Sequence, residues 1–255
     1  MRDPQHDTPF NEANAGGGIA TPALGESGVF DPSATMLAPI GVDSWDAWLE
    51  RIERVYQESE GEADRIPWSS RRPNPSLLAW LNVEAPRLVR PGARVAVVGC
   101  GLGFDAASLV DRGYDVEAFD ACASAIDWAR RLHPQCASAF HKADIRDMPA
   151  RTMHRFDLVV EVHTIQALPP RYRPEIAKGV CDLVGKCGVL IAIARGRDAS
   201  VPLADVTGPP FELTAPELHE LIEAQGLEAL RPIDDFEDDN APPVRRLRGV
   251  FQRTR

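Results

Sequence analysis

The fold expected of this 255-residue chain follows from the stretch Arg94-Val95-Ala96-Val97-Val98-Gly99-Cys100-Gly101-Leu102-Gly103-Phe104-Asp105-Ala106. Its β-branched run predicts a buried strand, and the residues after Gly103 predict a helix that begins at Phe104. Three alternating glycines between strand and helix let the backbone turn tightly and approach a ligand without a Cβ atom in the way. The N-terminus of the helix then points at that ligand, so the stretch predicts a binding loop as well as a fold.

Strands and helices alternate along the rest of the chain. Further strands are predicted at Tyr114 to Phe119, Ala137 to His141, Phe156 to Val162 and Gly188 to Ala194, and helices at Phe104 to Arg112, Ala123 to Leu132, Arg173 to Val184 and after the capping-box pair Thr214 and Glu217. Gly113, Gly185 and Gly226 are expected to close three of these helices. Two late strands, near Glu228 to Ile233 and Arg246 to Gln252, are expected to pair antiparallel at one edge. The pattern predicts an α/β fold with a doubly wound, mostly parallel sheet of seven strands and helices on both faces.

The N-terminal third differs in composition from the rest of the chain. Residues 1–40 are rich in Gly, Pro, Ala, Asp and Ser, which predicts a disordered arm or, alternatively, a lid that orders over a ligand. Residues 41–92 predict a helical extension that covers the cofactor and substrate, with Ser44 as an N-cap and Pro75 in the first turn of a second helix. Residues 93–255 form the main predicted domain.

Composition narrows the classes of function. The formal net charge is −10 and no basic stripe occurs, which argues against nucleic acid as the main partner. The sequence has no stretch of about 18 apolar residues, so a membrane span is not expected, and the N-terminus lacks the apolar core of a secretory signal. The five cysteines form no C-x-x-C pair, so free thiols, a cytoplasmic location and no metal site are expected.

Two carboxylates follow neighbouring strands of the predicted sheet, whose carboxyl ends form the usual ligand site. Asp120 ends the second strand 19 residues after Gly101, where it can accept hydrogen bonds from both hydroxyls of a ribose. Asp144 follows the third strand and can meet the amine of an adenine. The alternatives are an N-cap role for Asp120 and a turn role for Asp144. The G-x-G-x-x-A pattern from Gly101 to Ala106 also suits a dinucleotide, although only about 50 residues, too few for a separate catalytic domain, follow the fifth strand.

The sequence resembles class I S-adenosylmethionine-dependent methyltransferases over residues 66–252. The first, second and fourth motifs of that class are matched by Val97 to Gly103, Val116 to Asp120 and Phe156 to Glu161. Shorter pieces resemble the thiopurine S-methyltransferase branch, which includes tellurite-resistance and thiol or halide methyltransferases. These pieces are Ile66-Pro67-Trp68, Arg72 to Pro75, Gln166 to Pro169, Gly208 to Phe211, Asp235 to Glu237 and Arg245 to Arg248.

The resemblance implies a Rossmann-like methyltransferase fold, S-adenosylmethionine as the cofactor and a set of residues around it. That set comprises Gly99, Cys100, Gly101 and Gly103 along the methionine, Asp120 and Ala121 at the ribose, Asp144 and Ile145 at the adenine, Glu161 at the loop that passes the sulfonium, and Trp68 over the cofactor. A cation–π contact between an indole and a sulfonium supports the role of Trp68. The alternative is that Trp68 is an ordinary core aromatic.

The acceptor side is predicted from three residues near the ends of later elements. His163, beyond the fourth strand, is a candidate base because its ordinary pKa is near 6.5, and otherwise a loop residue. Arg195 ends the fifth strand and can bind an anionic acceptor or form a structural ion pair. Trp45, together with Trp48, can roof the acceptor pocket or pack beneath the first helix.

The favoured function is methyl transfer to a small molecule with a thiol or similar soft nucleophile. A thiol with a pKa near 8.5 is partly ionised at neutral pH and needs little help from a base. The alternatives are O- or N-methylation of a secondary metabolite, a nicotinamide-dependent oxidoreductase, and a binding protein without turnover.

Overall fold

The computed structural model describes residues 44–59 and 61–254, so the predicted arm at residues 1–40 lies outside the described residues. The α-helices are α1 Trp45–Glu58, α2 Pro75–Val83, α3 Ala85–Leu88, α4 Phe104–Asp111, α5 Ala123–Leu132, α6 Arg173–Leu183 and α7 Ala215–Glu223. The strands are β1 Arg94–Val98, β2 Asp115–Asp120, β3 Phe140–Lys142, β4 Phe156–Val162, β5 Val184–Arg195, β6 Glu228–Ala229, β7 Asp234–Glu237 and β8 Arg245–Gln252. Short 3-10 helices occupy Ala63–Arg65, Pro134–Ala139, Ile145–Asp147, Ala150–Thr152, Pro170–Tyr172 and Leu203–Asp205.

One sheet organises the described residues, in the order β3-β2-β1-β4-β5-β8-β6, with β7 also paired to β8. Strands β1 to β5 run parallel, and β8 runs antiparallel to β5. The order reverses between β1 and β4, so a crevice opens where the strands end. The predicted doubly wound, mostly parallel α/β sheet is confirmed, with eight strands in the described part of the chain instead of seven.

The late strands differ from the prediction in their extent. The segment near residues 228–233 contributes only β6, because the chain bends after Ala229 and Pro232 carries no N–H for a ladder. The unpredicted strand β7 then resumes the antiparallel pairing along β8, from Asp234 opposite Arg248 to Glu237 opposite Arg245. The antiparallel edge is therefore confirmed, but it is built from two short strands on β8.

The boundary between α6 and β5 also differs from the prediction. We expected Gly185 to close the helix, but α6 ends at Leu183 and β5 begins at once with Val184. Val184 pairs with Phe156, so the sheet captures the residues expected to finish the helix. Gly188 lies inside the strand, where a Cβ atom would come 2.6 Å from the carbonyl oxygen of Phe156. By contrast, Gly113 and Gly226 follow their helices with φ of +83° and +80°, as predicted.

The third strand is shorter and later than the sequence predicted. Residues 134–139 form a 3-10 helix, and β3 begins only at Phe140. The capping box of Thr214 and Glu217 is present at the start of α7.

The two N-terminal helices pack on opposite faces of the sheet. Trp48 of α1 belongs to the apolar cluster beneath α6 and α7, whereas Trp80 of α2 belongs to the cluster beneath α4 and α5. Both indoles are fully buried. The helices before β1 therefore share the core of the sheet and meet at its carboxyl edge. The domain division at residues 92 and 93 stays a prediction.

Two further findings concern the chain as a whole. All five cysteines carry free thiols. Among the helices of the described residues, none combines the length and apolar character that a membrane span requires.

Candidate cofactor and acceptor cleft

A cleft of about 1520 Å³ lies at the carboxyl ends of the parallel strands. A pocket for one drug-sized ligand measures roughly 300–1,000 Å³, so this cleft has room for two molecules. Twelve of the predicted site residues line it: Trp45, Trp68, Gly99, Cys100, Gly101, Gly103, Asp120, Ala121, Asp144, Ile145, His163 and Arg195. The remaining one, Glu161, lies beneath it.

The glycine loop between β1 and α4 approaches its neighbours closely. Gly99, Gly101 and Gly103 have φ of +61°, +51° and +83°, a conformation that L side chains rarely adopt. A Cβ atom on Gly99 would come 2.2 Å from the Thr164 hydroxyl oxygen, and that hydroxyl donates to the carbonyl of Val98 at 3.0 Å. The loop after β4 thus rests on bare backbone, and glycine is required for that contact.

Asp120 ends β2 with its carboxylate facing the glycine loop. It accepts hydrogen bonds from the backbone N–H groups of Gly101 and Cys122, each at 2.9 Å. Burial raises the pKa of this carboxyl, although both N–H groups act in the opposite direction. The N-cap of α5 is Cys122, so the N-cap alternative for Asp120 is wrong.

Asp144 lines the cleft and already has a cationic partner. Its carboxylate caps a 3-10 turn by accepting from the backbone N–H of Arg146 at 2.9 Å and also receives the Arg146 guanidinium at 2.6 Å. Burial alone would raise the pKa of this carboxyl, but its contacts with Arg146 lower it. The guanidinium bridges to Asp46 and lies 4.6 Å from the ring centre of Trp45. Asp144 is therefore both a turn residue and a wall of the cleft.

Trp68 lines the cleft, and 41% of its surface is exposed, so the core-aromatic alternative is wrong. Its Nε1 donates to the phenol oxygen of Tyr56 at 2.9 Å. Tyr56 is buried on α1 beside the glycine loop, 3.2 Å from where a Cβ atom of Gly101 would lie. The first helix therefore positions Trp68 beside that loop.

Trp45 and Trp48 take different positions although both lie in α1. Trp45 lines the cleft and packs edge-on against Tyr172, with ring centres 5.3 Å apart. Trp48 is fully buried against Phe211, with ring centres 5.8 Å apart, and lies outside the cleft. Packing beneath the helix therefore describes Trp48, whereas Trp45 also lines the cleft wall.

Glu161 supports the loop after β4 from below. Its Oε1 accepts from the backbone N–H groups of Thr164 and Ile165 at 2.6 and 3.0 Å. The side chain is fully buried, and burial raises its pKa to about 7. The structure thus shows Glu161 shaping the loop rather than facing the cleft.

His163 and Arg195 line the cleft beside β5 and β8, and both Arg195 and Arg246 of β8 lie close enough to act on the charge of His163. Burial, Arg246 and Arg195 together lower the pKa of His163 to about 3. The imidazole is therefore uncharged at neutral pH and is a much weaker base than its ordinary pKa suggested. Its φ of +67° lies in the left-handed region, as expected for a residue at a tight turn after a strand.

Two attachments around the cleft, and one segment of its wall, had no role assigned from the sequence. Asp105, in the first turn of α4, accepts from the backbone N–H of Asn74 at 2.6 Å, and burial raises its pKa to about 6. Glu53 of α1 accepts from the Ser124 hydroxyl at 2.6 Å near the start of α5. A segment from Phe236 to Asn240 also contributes to the cleft wall. No local pattern marks the two attachments, because each joins residues far apart in the chain.

The model of the thiopurine S-methyltransferase family matches residues 56–253, which include the whole sheet and the glycine loop. The chain belongs to this family. It is a methyltransferase that uses S-adenosylmethionine, and the predicted resemblance is confirmed.

Relatives of this family member include two plant proteins. Thiocyanate methyltransferase 1 of Arabidopsis thaliana is 26% identical over 200 residues, which cover 76% of this chain and 82% of the relative. Probable thiol methyltransferase 2 of the same plant is 25% identical over 181 residues, which cover 70% and 76%.

The fold is shared with solved methyltransferases. The 1,6-didemethyltoxoflavin-N1-methyltransferase of Burkholderia thailandensis, solved with S-adenosylhomocysteine, superposes with a TM-score of 0.64 at 17% identity. The match covers 86% of this chain and 94% of that one. The Rossmann-like methyltransferase fold is thereby confirmed.

The residues of the cleft fit the cofactor of the family. Gly99, Gly101 and Gly103 line the cleft without side chains, so a ligand can approach the backbone of the loop closely. Asp120 and Trp68 line the same cleft. A carboxylate suits ribose hydroxyls, and an aromatic face suits a positively charged sulfur.

Proposed function

We propose that this family member methylates a thiol, or a similarly soft and ionisable nucleophile, on a small molecule. The observation that carries the proposal is the environment of His163, whose pKa burial and two arginines lower to about 3. A base this weak has little driving force to take a proton from an alcohol or an ammonium group at neutral pH. A thiol with a pKa near 8.5 ionises partly at neutral pH without a base.

We further propose which residues bind the cofactor. Gly99, Gly101 and Gly103 receive the methionine portion, Asp120 receives the ribose hydroxyls, and Trp68 covers the sulfonium. When bound, S-adenosylmethionine would supply a methyl group on a positively charged sulfur: the lone pair of the acceptor forms a bond to the methyl carbon while the carbon–sulfur bond breaks, and S-adenosylhomocysteine leaves as a neutral thioether. A cation–π contact with Trp68 is worth about 0.5–2 kcal/mol, depending on desolvation.

The main task of the cleft is then positioning. An in-line displacement of an activated methyl group needs the methyl donor and the acceptor close together and aligned. Such alignment lowers the activation barrier by roughly 7–11 kcal/mol. The loop after β4 contributes, because Glu161 and the hydroxyl of Thr164 fix its backbone against β1. The names of the plant relatives, which refer to thiols and thiocyanate, support a sulfur acceptor.

The experiment compares acceptors that differ only in the nucleophilic atom. Methyl transfer from labelled S-adenosylmethionine is measured with phenylmethanethiol, phenylmethanol and phenylmethanamine, and with thiocyanate. We expect turnover of the sulfur acceptors, with a rate that rises with ionisation of the thiol, and less than a few-fold loss in His163→Ala. Turnover of the alcohol or the amine alone, with a large loss in His163→Ala, would contradict the proposal.

A further inference from the structure

Among the residues that the structure describes, no carboxylate is a counter-ion for Arg195, which lies at the end of the cleft beside β5 and β8. It is the last residue of β5, is half-buried, and lines the cleft. Its backbone N–H donates to the side-chain oxygen of Gln166 at 2.6 Å, which anchors its position. Within residues 44–59 and 61–254, no carboxylate forms an ion pair with its guanidinium.

A second arginine stands directly opposite on the neighbouring strand. The register of β5 and β8 pairs Arg195 with Arg246, so both side chains leave the same face of the sheet. Like charges in directly opposed positions destabilise an antiparallel pair unless an anion neutralises them. Arg246 has such an anion, because its guanidinium contacts the Asp238 carboxylate at 2.7 Å.

The neighbouring charges leave Arg195 as the unmatched one. Arg248, two residues further along β8, contacts the Asp234 carboxylate at 2.7 Å. Burial alone would raise the pKa of Asp238, but the Val244 N–H and Arg246 lower it to about 2, so this carboxylate is ionised and already engaged. Glu237 and Asp239 lie at the exposed rim, where solvent screens their charges.

The position of Arg195 relative to the glycine loop sets the distance between two parts of a ligand. Strand β5 is separated from β1 by β4, and adjacent strands lie about 4.8 Å apart, so the two strand ends are about 10 Å apart across the sheet. A guanidinium offers parallel N–H donors that match a carboxylate or a related oxyanion. An acceptor that consists of little more than its nucleophilic sulfur, placed near the glycine loop, would not reach this guanidinium or use its paired donors.

We propose that the methyl acceptor carries a separate oxyanionic group, such as a carboxylate, which Arg195 binds several bonds away from the nucleophile. This proposal rests on the proposed function in one respect, since it takes this end of the cleft as the place where the acceptor enters. Arg195 is then the residue that selects the charge of the acceptor. It acts on binding, so its loss raises KM and changes kcat little.

The test uses two acceptors of the same shape and different charge, 4-(sulfanylmethyl)benzoate and 4-(sulfanylmethyl)benzamide. We expect the wild-type enzyme to favour the benzoate by about tenfold or more in kcat/KM, the effect of a hydrogen-bonded charge. Arg195→Met removes the guanidinium, keeps the apolar stem and abolishes this preference through KM. Arg195→Lys retains part of it. Arg112→Met, at an exposed arginine outside the cleft, leaves the preference unchanged.

A binding measurement separates failure of this proposal from failure of the proposed function. The complex with S-adenosylhomocysteine is titrated with the methylated products of both probes, which requires no turnover. A preference for the charged product that depends on Arg195 supports the anion site, whether or not the thiols are methylated. Absence of methylation of both thiols would refute only the assignment of a thiol acceptor. Equal binding of both products, or a preference that survives in Arg195→Met, overturns the proposal. Affinity for S-adenosylhomocysteine itself is expected to be the same in all variants.

Discussion

At Gly99, in the cleft, a side chain would face two separate penalties. A positive φ costs any L residue about 1–2 kcal/mol, and a Cβ atom here would also collide with Thr164. Gly113 has a φ of +83° but nothing within 4 Å of its Cβ position, so it shows the backbone penalty alone.

We predict that Gly99→Ala loses more stability than Gly113→Ala and also loses cofactor affinity. The loop after β4 must move away to accommodate the methyl group at position 99, whereas the turn after α4 has space. Denaturant unfolding gives the two free energies of unfolding, and calorimetry gives the affinity for S-adenosylhomocysteine. Equal losses in the two variants would show that the contact with Thr164 has no energetic importance.

A second prediction at this scale concerns Asp120. Replacing it with alanine removes the proposed hydrogen bonds to the ribose hydroxyls, each worth about 1.5–3 kcal/mol because the acceptor is charged. We expect affinity for S-adenosylmethionine to fall more than tenfold by calorimetry, while the protein remains folded. Asp127→Ala removes an exposed carboxylate of α5 outside the cleft and serves as the control. Unchanged affinity in Asp120→Ala would show that the ribose binds elsewhere.

At the scale of elements, the cleft depends on helices that precede the sheet in the chain. Helix α2 is joined to the first turn of α4 through the Asn74 N–H and the Asp105 carboxylate, and α1 is joined to α5 through Glu53 and Ser124. These contacts place the two N-terminal helices over the ends of the strands, where they form one wall of the cleft.

We predict that Asp105→Ala loosens α2 without unfolding the sheet. The backbone N–H of Asn74 loses its acceptor, and an unsatisfied, partly buried donor costs about 1–3 kcal/mol. Hydrogen exchange of the backbone amides of residues 78–83 should accelerate about tenfold, with little change in β1 and β4. Asp111→Ala removes an exposed carboxylate at the end of α4, the helix that contains Asp105, and should leave exchange in α2 unchanged. Equal acceleration in both variants would contradict a specific attachment through Asp105.

At the scale of the whole molecule, the cleft is formed by the N-terminal helices, the parallel strands and the C-terminal hairpin together. A ligand that contacts all of these parts binds only the folded protein, so it stabilises the folded state by an amount set by its concentration relative to its dissociation constant. At 100 times its dissociation constant, a ligand adds about 2.7 kcal/mol to the free energy of unfolding.

We therefore predict that S-adenosylmethionine and S-adenosylhomocysteine raise the unfolding midpoint by several degrees, whereas nicotinamide dinucleotides do not. Purified protein is heated with each ligand, and Asp120→Ala provides the control because its shift should shrink. A rise with nicotinamide dinucleotides alone would overturn the cofactor assignment. The midpoint without ligand provides the reference for every variant described above.

Much of the fold follows from local signals. Local backbone preference and hydrophobic period predict strand β1 and the glycine turn that follows it. They also predict α5 with the bounds 123–132 that the structure shows. The errors occur where pairing overrides such preference. Val184 begins β5 and pairs with Phe156 of β4 instead of ending a helix. Pro232 interrupts the strand that was expected to continue to Ile233.

The sequence by itself determined the class of fold, because the glycine loop and the carboxylate at the end of β2 are encoded within about 20 adjacent residues. Its resemblance to the methyltransferases over residues 66–252 determined the cofactor. Only the tertiary structure decided the chemistry of the acceptor end. His163, Arg195 and Arg246 come from three strand ends far apart in the chain, and their sequence neighbours show nothing of this proximity. The lowered pKa of His163 and the unmatched charge of Arg195 depend on burial and on distances between charges. Both quantities exist only once the strands lie side by side.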